Sequence, residues 1–477
     1  MPQSTTLMWF RQDLRLRDNP ALHYAAQLGP VMALFIQDTA APDGFHPGAA
    51  SRWWLHQSLH ALNQSLNDKL HVKQGNATDI IVQLVKQQGI RQVVWNRQYE
   101  PWQIDRDTAL KAALKALGVE VKSFNSLLLW EPWNVLNKSG EPYKVFTPYY
   151  RKGCLQQPAP RPPLGAPDEL HLEHEPSLDD GIDALQLMPQ IDWYEGMADA
   201  WTPGEAGASE RLSAFLPQRV ADYRNHRDQP SLPGTSRLSP HLHFGEISPH
   251  QIWYASLGAL HGDWEQPGLD TFLSELGWRE FSYYLLYHFN NLPQTNFNRR
   301  FDAFQWRNDP TGLRAWQRGM TGIPIVDAGM RELWHTGYMH NRVRMVVGSF
   351  LVKNLLVDWR QGERWFWDCL VDGDLAANSA SWQWVAGCGA DAAPYFRVFN
   401  PVLQGEKFDA KGDYVRRWCP ELSKLPNKYL HQPWQASDQV LRDANLTLGQ
   451  DYPHPIVDLK ASRQRALDAF AALKETA

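Results

Sequence analysis

The chain has 477 residues, of which 43% are hydrophobic and 21% are charged, and this is the balance of a globular protein. That length is too great for one small core, so two domains with an ordered connector are expected. The net charge of −5 excludes a globally basic nucleic-acid binder but leaves room for a local basic surface.

The N-terminal residues carry no secretion signal, because MPQSTTLMWFRQDLR turns charged directly after Phe10. The longest apolar runs fall far short of the ~20 residues that a bilayer requires, so no membrane contact is expected. Four cysteines, Cys154, Cys369, Cys388 and Cys419, are scattered without a C-x-x-C pair. This spacing predicts neither a disulfide scaffold nor a metal site, and the chain is expected in the cytoplasm.

Residues 1–130 alternate short apolar runs with helical periodicity. Ser51 and Thr78 are the expected N-caps of the first two helices. Strand and helix alternating at this spacing predict an α/β domain with a parallel sheet covered on both faces. No glycine-rich fingerprint follows the first strand, where RQDLRLRDN stands instead, so a dinucleotide site is not expected there. The predicted strands are residues 7–10, 31–36, 93–95 and 119–124, all buried, and the predicted helices are residues 51–66, 78–88 and 103–117.

A Pro-rich and acidic stretch follows, QQPAPRPPLGAPDELHLEHEPSLDDG, beginning at Gln156. It predicts a long connector over residues 131–207 that wraps on the surface rather than folding as a domain. From there on, helical periods are broken by Pro and Gly and show almost no strand alternation. This pattern predicts an all-α domain over residues 208–477, joined to the α/β domain by the connector.

One segment of the helical part imitates a nucleotide-binding fingerprint. Residues 387–392, GCGADA, match G-x-G-x-x-A, and Asp409 follows at about the twenty-residue spacing of that fingerprint. The preceding stretch is Trp-rich and helical in pattern, and Pro394 blocks a long helix directly afterwards. Packing of small residues against a ligand is therefore preferred to a dinucleotide-binding fold.

The 22 tryptophans are the compositional outlier. Trp serves in cores, in stacking platforms and in the binding of sugars or bases. There are so many of them that most must lie in the core. Composition by itself also allows a carbohydrate-binding protein that is rich in Trp.

The most informative segment is residues 372–409, DGDLAANSASWQWVAGCGADAAPYFRVFNPVLQGEKFD. An ordinary core does not require these acids, amides, aromatics and small residues in this order. Further motifs stand at residues 9–19 (WFRQDLRLRDN), 235–241 (TSRLSPH), 275–281 (ELGWREF), 316–333 (WQRGMTGIPIVDAGMREL) and 339–353 (MHNRVRMVVGSFLVK). Together they resemble the DNA photolyase/cryptochrome family over nearly the whole chain. Within that family the chain is most similar to the class I photolyases that act on cyclobutane pyrimidine dimers.

The resemblance implies one FAD per chain, active as FADH⁻ and bound by the helical domain. TSRLS offers hydroxyls, an Arg and backbone N–H groups of the kind that hold phosphates. By resemblance, Asp372 and Asp374 lie near the flavin ring and ribose. Arg344 is the expected partner of Asp372, since a buried carboxylate without a cation is costly. The implied cofactor-binding residues are Tyr223, Thr235, Ser236, Arg237, Leu238, Ser239, Phe272, Arg279, Arg344, Asp372, Gly373, Asp374 and Asn378.

The resemblance also implies residues for catalysis and electron transfer. Asn378 lies where photolyases place an amide beside flavin N5, whereas plant-type cryptochromes tend to carry Asp there. It therefore favours an enzyme that works with FADH⁻, and Glu275 is the second residue expected near the reacting groups. Trp306, Trp359 and Trp382 align with the family's electron-transfer chain, in which indoles pass an electron from the surface to the flavin. Their spacing in the sequence is equally consistent with three ordinary core tryptophans.

A site for a flipped-out lesion is implied as well. Trp278 and Trp384 resemble the two walls of its pocket, Met345 its soft packing residue and Glu275 its hydrogen-bonding carboxylate. Photolyases for (6-4) lesions carry His where this chain has Asn341 and Met345. The pair therefore points to cyclobutane dimers, whose repair requires no acid from the protein. The implied DNA- and lesion-binding residues are Arg227, Glu275, Trp278, Arg279, Ser282, Asn341, Arg342, Met345, Trp384 and Gln404.

Many members of the family carry a second, light-harvesting chromophore. Folate-binding relatives have a carboxylate after the YE motif and a Lys in the loop after the WREF helix, where this chain has Gln103 and Gln294. Methenyltetrahydrofolate is kept as the default because it is widely available, with 8-hydroxy-5-deazaflavin and an empty site as the alternatives.

The resemblance therefore predicts an enzyme, a carbon–carbon lyase that uses light to repair cyclobutane pyrimidine dimers. The alternative is a cryptochrome, a blue-light photoreceptor that carries the same flavin, repairs no DNA and is expected to lose parts of the lesion pocket. UV-damaged DNA is the expected partner, with no obligate protein partner and a monomeric chain. The expected location is a bacterial-type cytosol, with nucleoid association on damage.

Overall fold

The computed structural model describes residues 4–263, 265–392 and 396–475. The chain divides into two compact units, each assembled from several stretches of sequence. The first comprises Met1–Asp222, Ser236–Asn290 and Asp372–Ala376, and the second comprises Tyr223–Thr235, Asn291–Val371 and Ala377–Ala477. The domain limits predicted at residues 130 and 207 stay predictions.

The first unit is built on a five-stranded sheet in which every pairing is parallel. The strand order is β3-β2-β1-β4-β5, so the chain reverses its direction of winding at β1, between β2 and β4. The predicted α/β domain with a parallel sheet is confirmed. The strands are β1 (Thr6–Phe10), β2 (Val31–Asp38), β3 (Leu70–Gly75), β4 (Gln92–Asn96) and β5 (Glu120–Phe124).

Helices make up most of the remaining regular structure. Beyond residue 208 the described residues contain no strand, and the predicted helical character of this part is confirmed. The helices are α1 (Pro20–Leu28), α2 (Ala49–Ser65), α3 (Ala77–Gln88), α4 (Pro101–Ala116), α5 (Phe146–Pro148), α6 (Glu195–Ala200), α7 (Glu205–Arg219), α8 (Tyr223–His226), α9 (Ser239–His243), α10 (Pro249–Ala259), α11 (Pro267–His288), α12 (Pro310–Gln317), α13 (Pro324–Thr336), α14 (Asn341–Ser349), α15 (Trp359–Cys369), α16 (Leu375–Ala386), α17 (Pro401–Phe408), α18 (Asp413–Trp418), α19 (Asn427–Leu430), α20 (Asp438–Asp443) and α21 (Leu459–Glu475). Among them, none is both long and apolar enough to cross a bilayer.

Three local predictions in the first unit were wrong. The N-cap of α2 is Gly48 rather than Ser51, and that of α3 is Asn76, whose side chain accepts from the backbone N–H of Asp79. β5 is exposed or half-buried rather than buried, because it lies at the edge of the sheet. β3 was not predicted, since LHVKQG has a polar second half that weakens the strand pattern.

The motif at residues 9–19 closes the carboxyl edge of the sheet. The guanidinium of Arg11 donates to Asp107 Oδ2 at 2.6 Å and also to the Asn96 carbonyl. The Asn96 amide in turn donates to Asp13 Oδ2 at 2.5 Å and to Asn19 Oδ1 at 2.7 Å. All of these side chains are buried, so the polar residues after β1 serve to pair with Asn96 at the end of β4 and Asp107 on α4.

The predicted connector is mostly irregular, with short 3₁₀ turns and α6. Its Leu172 bridges to Val31 at the start of β2, and the backbone N–H of Asp180 donates to the Val72 carbonyl at 2.9 Å. The connector is therefore tied to the sheet through main-chain hydrogen bonds.

The core of the second unit is one apolar cluster built by its helices. Fully buried members include Trp316, Val347, Leu351 and Trp359. The four cysteines of the chain are free and buried.

Candidate functional site

The two acids of the DGD segment belong to the first unit, and each has a hydroxyl partner there. Ser239 Oγ donates to Asp372 Oδ2 at 2.6 Å, and the Tyr283 hydroxyl donates to Asp374 Oδ2. His243 Nδ1 lies 3.6 Å from the same Asp374 oxygen. Both acids are only 9% exposed, so the structure confines two carboxylates to a nearly dry site.

Burial controls the protonation of the groups around Asp374. The pKa of Tyr283 is raised well above its usual value, first by burial and then by the Asp374 charge, so its phenol stays a donor. Burial also raises the pKa of Glu100 to about 7, with a further contribution from Asp374. Trp102 Nε1 donates to Glu100 at 2.8 Å. Sequence reasoning missed Glu100, Tyr283 and His243, which are brought to Asp374 only by folding.

Arg279 offers a donor that the protein itself leaves open. Its Nη1 donates to the Leu127 carbonyl at 2.8 Å and lies 3.4 Å from Glu280 Oε1. Its Nη2 is buried and has no hydrogen-bond partner among the described residues. Buried donors in native proteins are almost always satisfied, and a guanidinium is well suited to phosphate oxygens. Arg279 Nη2 is therefore a donor that suits a phosphate oxygen, and the predicted cofactor-binding and lesion-binding roles of Arg279 stay predictions.

Glu280, next to Arg279, supports the backbone behind this donor. Its Oε2 accepts from the backbone N–H groups of Leu129 at 2.8 Å and Trp130 at 3.3 Å. Burial raises the pKa of Glu280 to about 8. Glu280, the acidic residue of the WREF motif, thus has a structural role, which was not assigned from the sequence.

The TSRLS segment divides between the units, with Tyr223 and Thr235 in the second and Ser236–Ser239 in the first. Arg237 adopts a left-handed backbone with φ of 53°, a conformation that is costly for a non-glycine residue. Its guanidinium carbon lies 4.3 Å from the centre of the Trp201 ring. Leu238 is buried.

Phe272, another residue implied to contact the cofactor, is buried on α11 and packs against Phe215 with ring centres 4.8 Å apart. Gly373 lies between the two acids just before α16. The expected pairing of Asp372 with Arg344 stays a prediction, because the two residues belong to different units. Arg344 itself donates from Nε to the Met339 carbonyl at 2.7 Å.

The amide of Asn378, in the second unit, has a defined orientation. Its Nδ2 donates to the Glu363 carbonyl at 3.0 Å, and a carbonyl can only accept. The amide oxygen therefore points away from Glu363 and is available as an acceptor. The neighbouring Ser379 Oγ donates to Glu363 Oε1 at 2.6 Å, and burial raises the pKa of Glu363 to about 7.

The three tryptophans of the predicted electron-transfer chain lie in the second unit at graded depths. Trp359 is fully buried, Trp382 is 3% exposed and Trp306 is half-buried. Trp359 Nε1 donates to Asn296 Oδ1 at 2.9 Å. In the described part of the chain the three indoles make no direct ring contact with one another. Trp306 is thus the most exposed of the three, and the electron-transfer chain and its order stay predictions.

Trp382 is enclosed edge-on by other rings. Phe366 lies 4.9 Å away at an interplanar angle of 76°, and Trp316 lies 6.2 Å away at 72°. A Cβ atom added at Gly362 would lie 2.5 Å from Trp382 Cζ3. Glycine at position 362 therefore allows α15 to approach the indole closely. None of these neighbours was assigned from the sequence.

Trp278, a predicted wall of the lesion pocket, stacks face to face on Phe146. The ring centres are 3.8 Å apart and the planes differ by 12°. Phe146 stacks in turn on Tyr150, with centres 5.5 Å apart and planes at 9°. A Cβ atom at Gly277 would lie 2.6 Å from Tyr150, so this glycine permits the stack. Phe146 and Tyr150 were missed, because they are remote from the WREF motif in sequence.

The other predicted lesion residues of α11 lie on the same stretch of helix as Trp278. Glu275 is half-buried one turn earlier. The Ser282 hydroxyl donates to the Trp278 carbonyl at 3.0 Å, so it is occupied within the helix. α11 thus presents Glu275, Trp278 and Arg279 from consecutive turns.

Arg342 and Arg227 are brought together in the second unit by an acid that was not predicted, Asp228. Arg342 Nη2 lies 2.9 Å from Asp228 Oδ2, and Arg227 Nε lies 3.9 Å from Asp228 Oδ1. The Arg342 guanidinium carbon also lies 4.5 Å from the centre of the Phe408 ring. A phosphate that contacts these arginines would compete with Asp228 for them.

The remaining predicted lesion residues are also in the second unit. Asn341 is exposed at the start of α14, and Met345 and Gln404 are half-buried. Trp384 is half-buried, and its Nε1 donates to the Asp391 carbonyl at 3.1 Å. The indole N–H is thereby fixed by the protein, which leaves ring faces rather than polar atoms for recognition.

The fingerprint-like GCGADA segment follows the end of α16 and is not preceded by a strand. A Cβ atom at Gly389 would lie 2.7 Å from the Trp384 backbone nitrogen. Gly389 is therefore explained by close packing onto the end of α16. Pro394, which was expected to block a helix here, lies outside the described residues.

Comparison with known proteins agrees with this geometry. Residues 272–472 match the FAD binding domain of DNA photolyase, and residues 6–167 match the DNA photolyase family. The chain is 48% identical to the deoxyribodipyrimidine photo-lyase of Agrobacterium fabrum, with 98% of each chain covered. It is 36% identical to cryptochrome-1 of Arabidopsis thaliana over 98% of this chain and 70% of that relative. Among solved structures, a bacterial class III photolyase from Agrobacterium tumefaciens matches with a TM-score of 0.95 at 48% identity, covering 100% of this chain and 98% of that one.

The chain therefore belongs to the DNA photolyase/cryptochrome family and carries its FAD-binding domain. The predictions of the family, of FAD as cofactor and of a photolyase-type lyase are confirmed. The narrower similarity to class I photolyases is not confirmed, since the structure that matches at 48% identity is described as class III. The residue roles stay predictions, and they are taken up below.

Proposed function

We propose that this protein repairs cyclobutane pyrimidine dimers in UV-damaged DNA by light-driven electron transfer from FADH⁻ to a flipped-out lesion. The observation that carries the proposal is the half-buried Trp278 ring, supported from behind by Phe146 at 3.8 Å. A flat apolar platform of this kind is suited to an unstacked base. The name deoxyribodipyrimidine photo-lyase of the Agrobacterium relative supports the same substrate class.

The residues present fit an FAD molecule. Arg279 supplies an open buried donor for a phosphate oxygen, and Ser239 and Asp372 supply a hydroxyl and a carboxylate next to each other. When bound, the reduced flavin supplies the electron that enters the dimer and takes it back after the ring has opened. We assign the polar contacts of FAD to these residues, to Arg344 and to Asp374, with the TSRLS backbone beside them.

The orientation of Asn378 supports the reduced state of the cofactor. Its amide nitrogen is held by the Glu363 carbonyl, so the amide oxygen is the group presented to a ligand. An oxygen accepts a hydrogen bond and therefore favours a protonated ring nitrogen over an unprotonated one. We assign Asn378 the role of stabilising FADH⁻.

We assign Trp382, Trp359 and Trp306 to photoreduction of the flavin. Trp382 lies in an apolar, water-poor surrounding, and Trp306 is half-buried. An electron that leaves Trp382 is replaced through Trp359 from Trp306, and the positive charge ends where water can stabilise it. This direction follows from burial, because a charge is more costly in the interior than at the surface.

The lesion is held by contacts that the protein residues supply at its base edges and phosphates. We assign Glu275 a hydrogen bond to a base N–H of the lesion, and we assign Trp278 and Trp384 each a stacking contact with a base. Arg342 and Arg227 exchange their contact with Asp228 for phosphate oxygens, which position the strand without reading its sequence.

His340 supports a cyclobutane substrate rather than a (6-4) lesion. Burial lowers the pKa of His340 to about 4, and nearby arginines lower it further. Its Nδ1 accepts from the backbone N–H of Arg342 at 3.2 Å. A neutral histidine held in this way is a poor proton donor at neutral pH. Cyclobutane reversal requires none, because the electron that is donated returns to its source.

A cryptochrome-type photoreceptor is the second candidate, favoured by the 36% identity to cryptochrome-1 of Arabidopsis thaliana over 98% of this chain. It would share the flavin and the tryptophans but would not repair DNA. The presence of Trp278, Trp384, Met345 and Glu275 together favours repair, because signalling does not require a lesion pocket.

The test is repair of an oligonucleotide that contains one cyclobutane thymine dimer, by the reduced protein, under blue light and in darkness. We expect intact thymines to return only in the light. A protein that binds FAD and is photoreduced, yet returns no thymine, would contradict the proposal and favour the photoreceptor. An oligonucleotide with a (6-4) lesion is the matched control and should remain unrepaired.

We propose methenyltetrahydrofolate as the first candidate for an antenna chromophore and 8-hydroxy-5-deazaflavin as the second. The cavity at the carboxyl edge of the sheet measures about 10 Å³ and is lined by Asp13, Asn96 and Arg97 among others. That volume holds about one water molecule, so a chromophore there would have to displace side chains. Mass spectrometry of the small molecules released on denaturation would identify any chromophore besides FAD.

We propose that the protein acts as a monomer in the cytosol and associates with the nucleoid after damage. Light scattering of the purified protein, with and without damaged DNA, tests the monomer. A fluorescent fusion imaged before and after UV exposure tests the location.

A further inference from the structure

A cluster of three metal-ligating side chains, none of them assigned to flavin or DNA, lies in the first unit. His56 and His60 stand one turn apart on α2, and Asp183 begins the 3₁₀ turn Asp183–Leu185 of the connector. One ligand atom from each residue lies within 4.8 Å of those of the other two. His60 Nε2 lies 3.9 Å from Asp183 Oδ1, and the two imidazole centres are 4.6 Å apart.

The cluster is held in place because the connector runs along one face of α2. Trp53 stacks on Tyr194, with ring centres 6.3 Å apart. Gln57 Nε2 approaches Met188 Sδ at 3.9 Å. These positions fall on one stripe of the helix with His56 and His60, at spacings of three and four residues. The same stripe that packs on the connector therefore presents both imidazoles to it.

The connector reaches Asp183 through buried neighbours. Ile182 is 7% exposed and Leu185 is 2% exposed, so the backbone on both sides of Asp183 is anchored. The Asp183 side chain is nevertheless 91% exposed. A carboxylate on a fixed backbone with a free side chain reaches a nearby ion at little conformational cost.

His56 is ready to act as a ligand. Its Nδ1 is buried and has no hydrogen-bond partner among the described residues. Metal ions bind neutral imidazole, and a free ring nitrogen is the form that they require.

We propose that His56, His60 and Asp183 bind one divalent transition-metal ion, with Zn²⁺ as the best match, and that the ion fastens the connector to α2. Two imidazole nitrogens and a carboxylate oxygen are a common zinc ligand set, in which water takes the fourth position. With Zn–N bonds of ~2.0–2.1 Å, ligand atoms on a tetrahedral ion lie about 3.3 Å apart. A small rotation of the exposed Asp183 and His60 side chains closes the present spacing to that value.

Other ligands do not compete for the ion within the folded chain. The four cysteines are buried, and no second group of three ligating residues occurs in the described ranges. The cysteine spacing gave no sign of this site, and Asp183 is remote from the two histidines in sequence, so no metal site was predicted.

The test is Zn²⁺ binding by the full-length protein, purified with its flavin, without a polyhistidine tag and after dialysis against a chelator. Competition with a chromophoric chelator gives the affinity, and atomic absorption gives the stoichiometry. We expect one ion per chain. His60→Ala and Asp183→Asn should each weaken binding by at least about tenfold, the lower limit for losing even a residue that only hydrogen-bonds to a metal ligand.

His171→Ala is the matched control, since the exposed His171 also lies near a carboxylate, Glu169, at 3.7 Å, but has no second histidine. It should bind Zn²⁺ as the parent does. Zn²⁺ should also raise the melting temperature of the parent and of the control, but not of the two ligand variants. Asn has nearly the same size as Asp, and the side chain at position 183 is exposed. The Asp183→Asn variant should therefore fold normally even if the His60→Ala variant does not. No bound ion in the parent, or equal affinity in the parent and Asp183→Asn, would overturn the proposal.

Discussion

Two aromatic clusters of this protein contain the same types of ring, indole and phenyl, in different geometries. In the first unit, the half-buried Trp278 stacks face to face on Phe146 with ring centres 3.8 Å apart, and its other ring contact is with Phe281, at 6.0 Å and 73°. In the second unit, Trp382 meets Phe366 and Trp316 edge-on, at 76° and 72°, and is 3% exposed.

The difference shows how geometry assigns a role to the same residue type. A stack covers one face and leaves the other for a ligand, so it suits recognition of a base. Trp382 is almost completely buried among other rings, and this exclusion of water suits a redox group that must not react with solvent. Neither role can be inferred from Trp content alone.

The largest expected effect concerns the enclosed ring. Trp382→Phe should abolish photoreduction of the oxidised flavin, because a phenyl ring is much harder to oxidise than an indole. Repair should remain intact when the flavin is reduced chemically, since the lesion pocket is unchanged. Flavin absorbance under illumination measures the first effect, and the dimer oligonucleotide measures the second. Loss of repair with chemically reduced flavin would contradict the separation of the two clusters.

The next effect concerns the carboxyl group beside the stack. Burial raises the pKa of Glu280 to about 8, so the folded state binds a proton that the unfolded state has released above about pH 4.5. Folding stability should therefore fall as pH rises from about 5 to about 8, by up to ~1.4 kcal/mol per pH unit.

Glu280→Gln should remove that slope and be more stable than the parent at pH 8.5, because an uncharged amide oxygen still accepts from the backbone. Urea unfolding at pH 5.5, 7 and 8.5 measures the slope. Asp270, an exposed acid of the same helix that pairs with Arg151, gives the control Asp270→Asn, which should leave the slope in place. Parallel pH curves for the parent and Glu280→Gln would rule out a protonated Glu280.

The open face of the stack gives the third prediction. Trp278→Ala should weaken binding to dimer-containing DNA by roughly 1–3 kcal/mol, the range for base–aromatic stacking, and leave photoreduction unchanged. Phe146→Leu should weaken it less, by roughly 0.5–1.5 kcal/mol, because only the aromatic pair behind the platform is lost. Fluorescence anisotropy with damaged and undamaged DNA measures both. Unchanged affinity in Trp278→Ala would place the lesion elsewhere.

The last prediction concerns the close approach of α15 to Trp382. Gly362→Ala should destabilise the fold by ~1–3 kcal/mol, because the added methyl group meets Trp382 and the core cannot expand freely. Gly258→Ala in α10 is the control, since a Cβ atom there meets nothing within 4 Å. It should stabilise the protein by roughly 0.5–1 kcal/mol. Urea denaturation of both variants measures the difference, and equal stabilities would mean that α15 and Trp382 are loosely packed.

Local sequence patterns determined the general architecture of this protein. Alternation of apolar runs and helical periods predicted the parallel sheet, because each strand and helix must bury one face regardless of its partners. The ordered motifs determined the family and the set of candidate residues, since a ligand as large as FAD requires many groups in a defined order. The start of α3, by contrast, was misplaced, because Asn76 and Thr78 are both good caps by residue type.

Only the tertiary structure decided how the candidate residues are supported. Phe146 behind Trp278, Glu100 near Asp374, Gly362 under Trp382 and Asp183 beside His60 are all contacts between residues remote in sequence. Stacking, burial and the pKa values that burial shifts depend on neighbours that the chain assembles by folding. The sequence therefore determined which residues are present for flavin and lesion chemistry, and the fold decided which of them are buried, paired or open to a ligand.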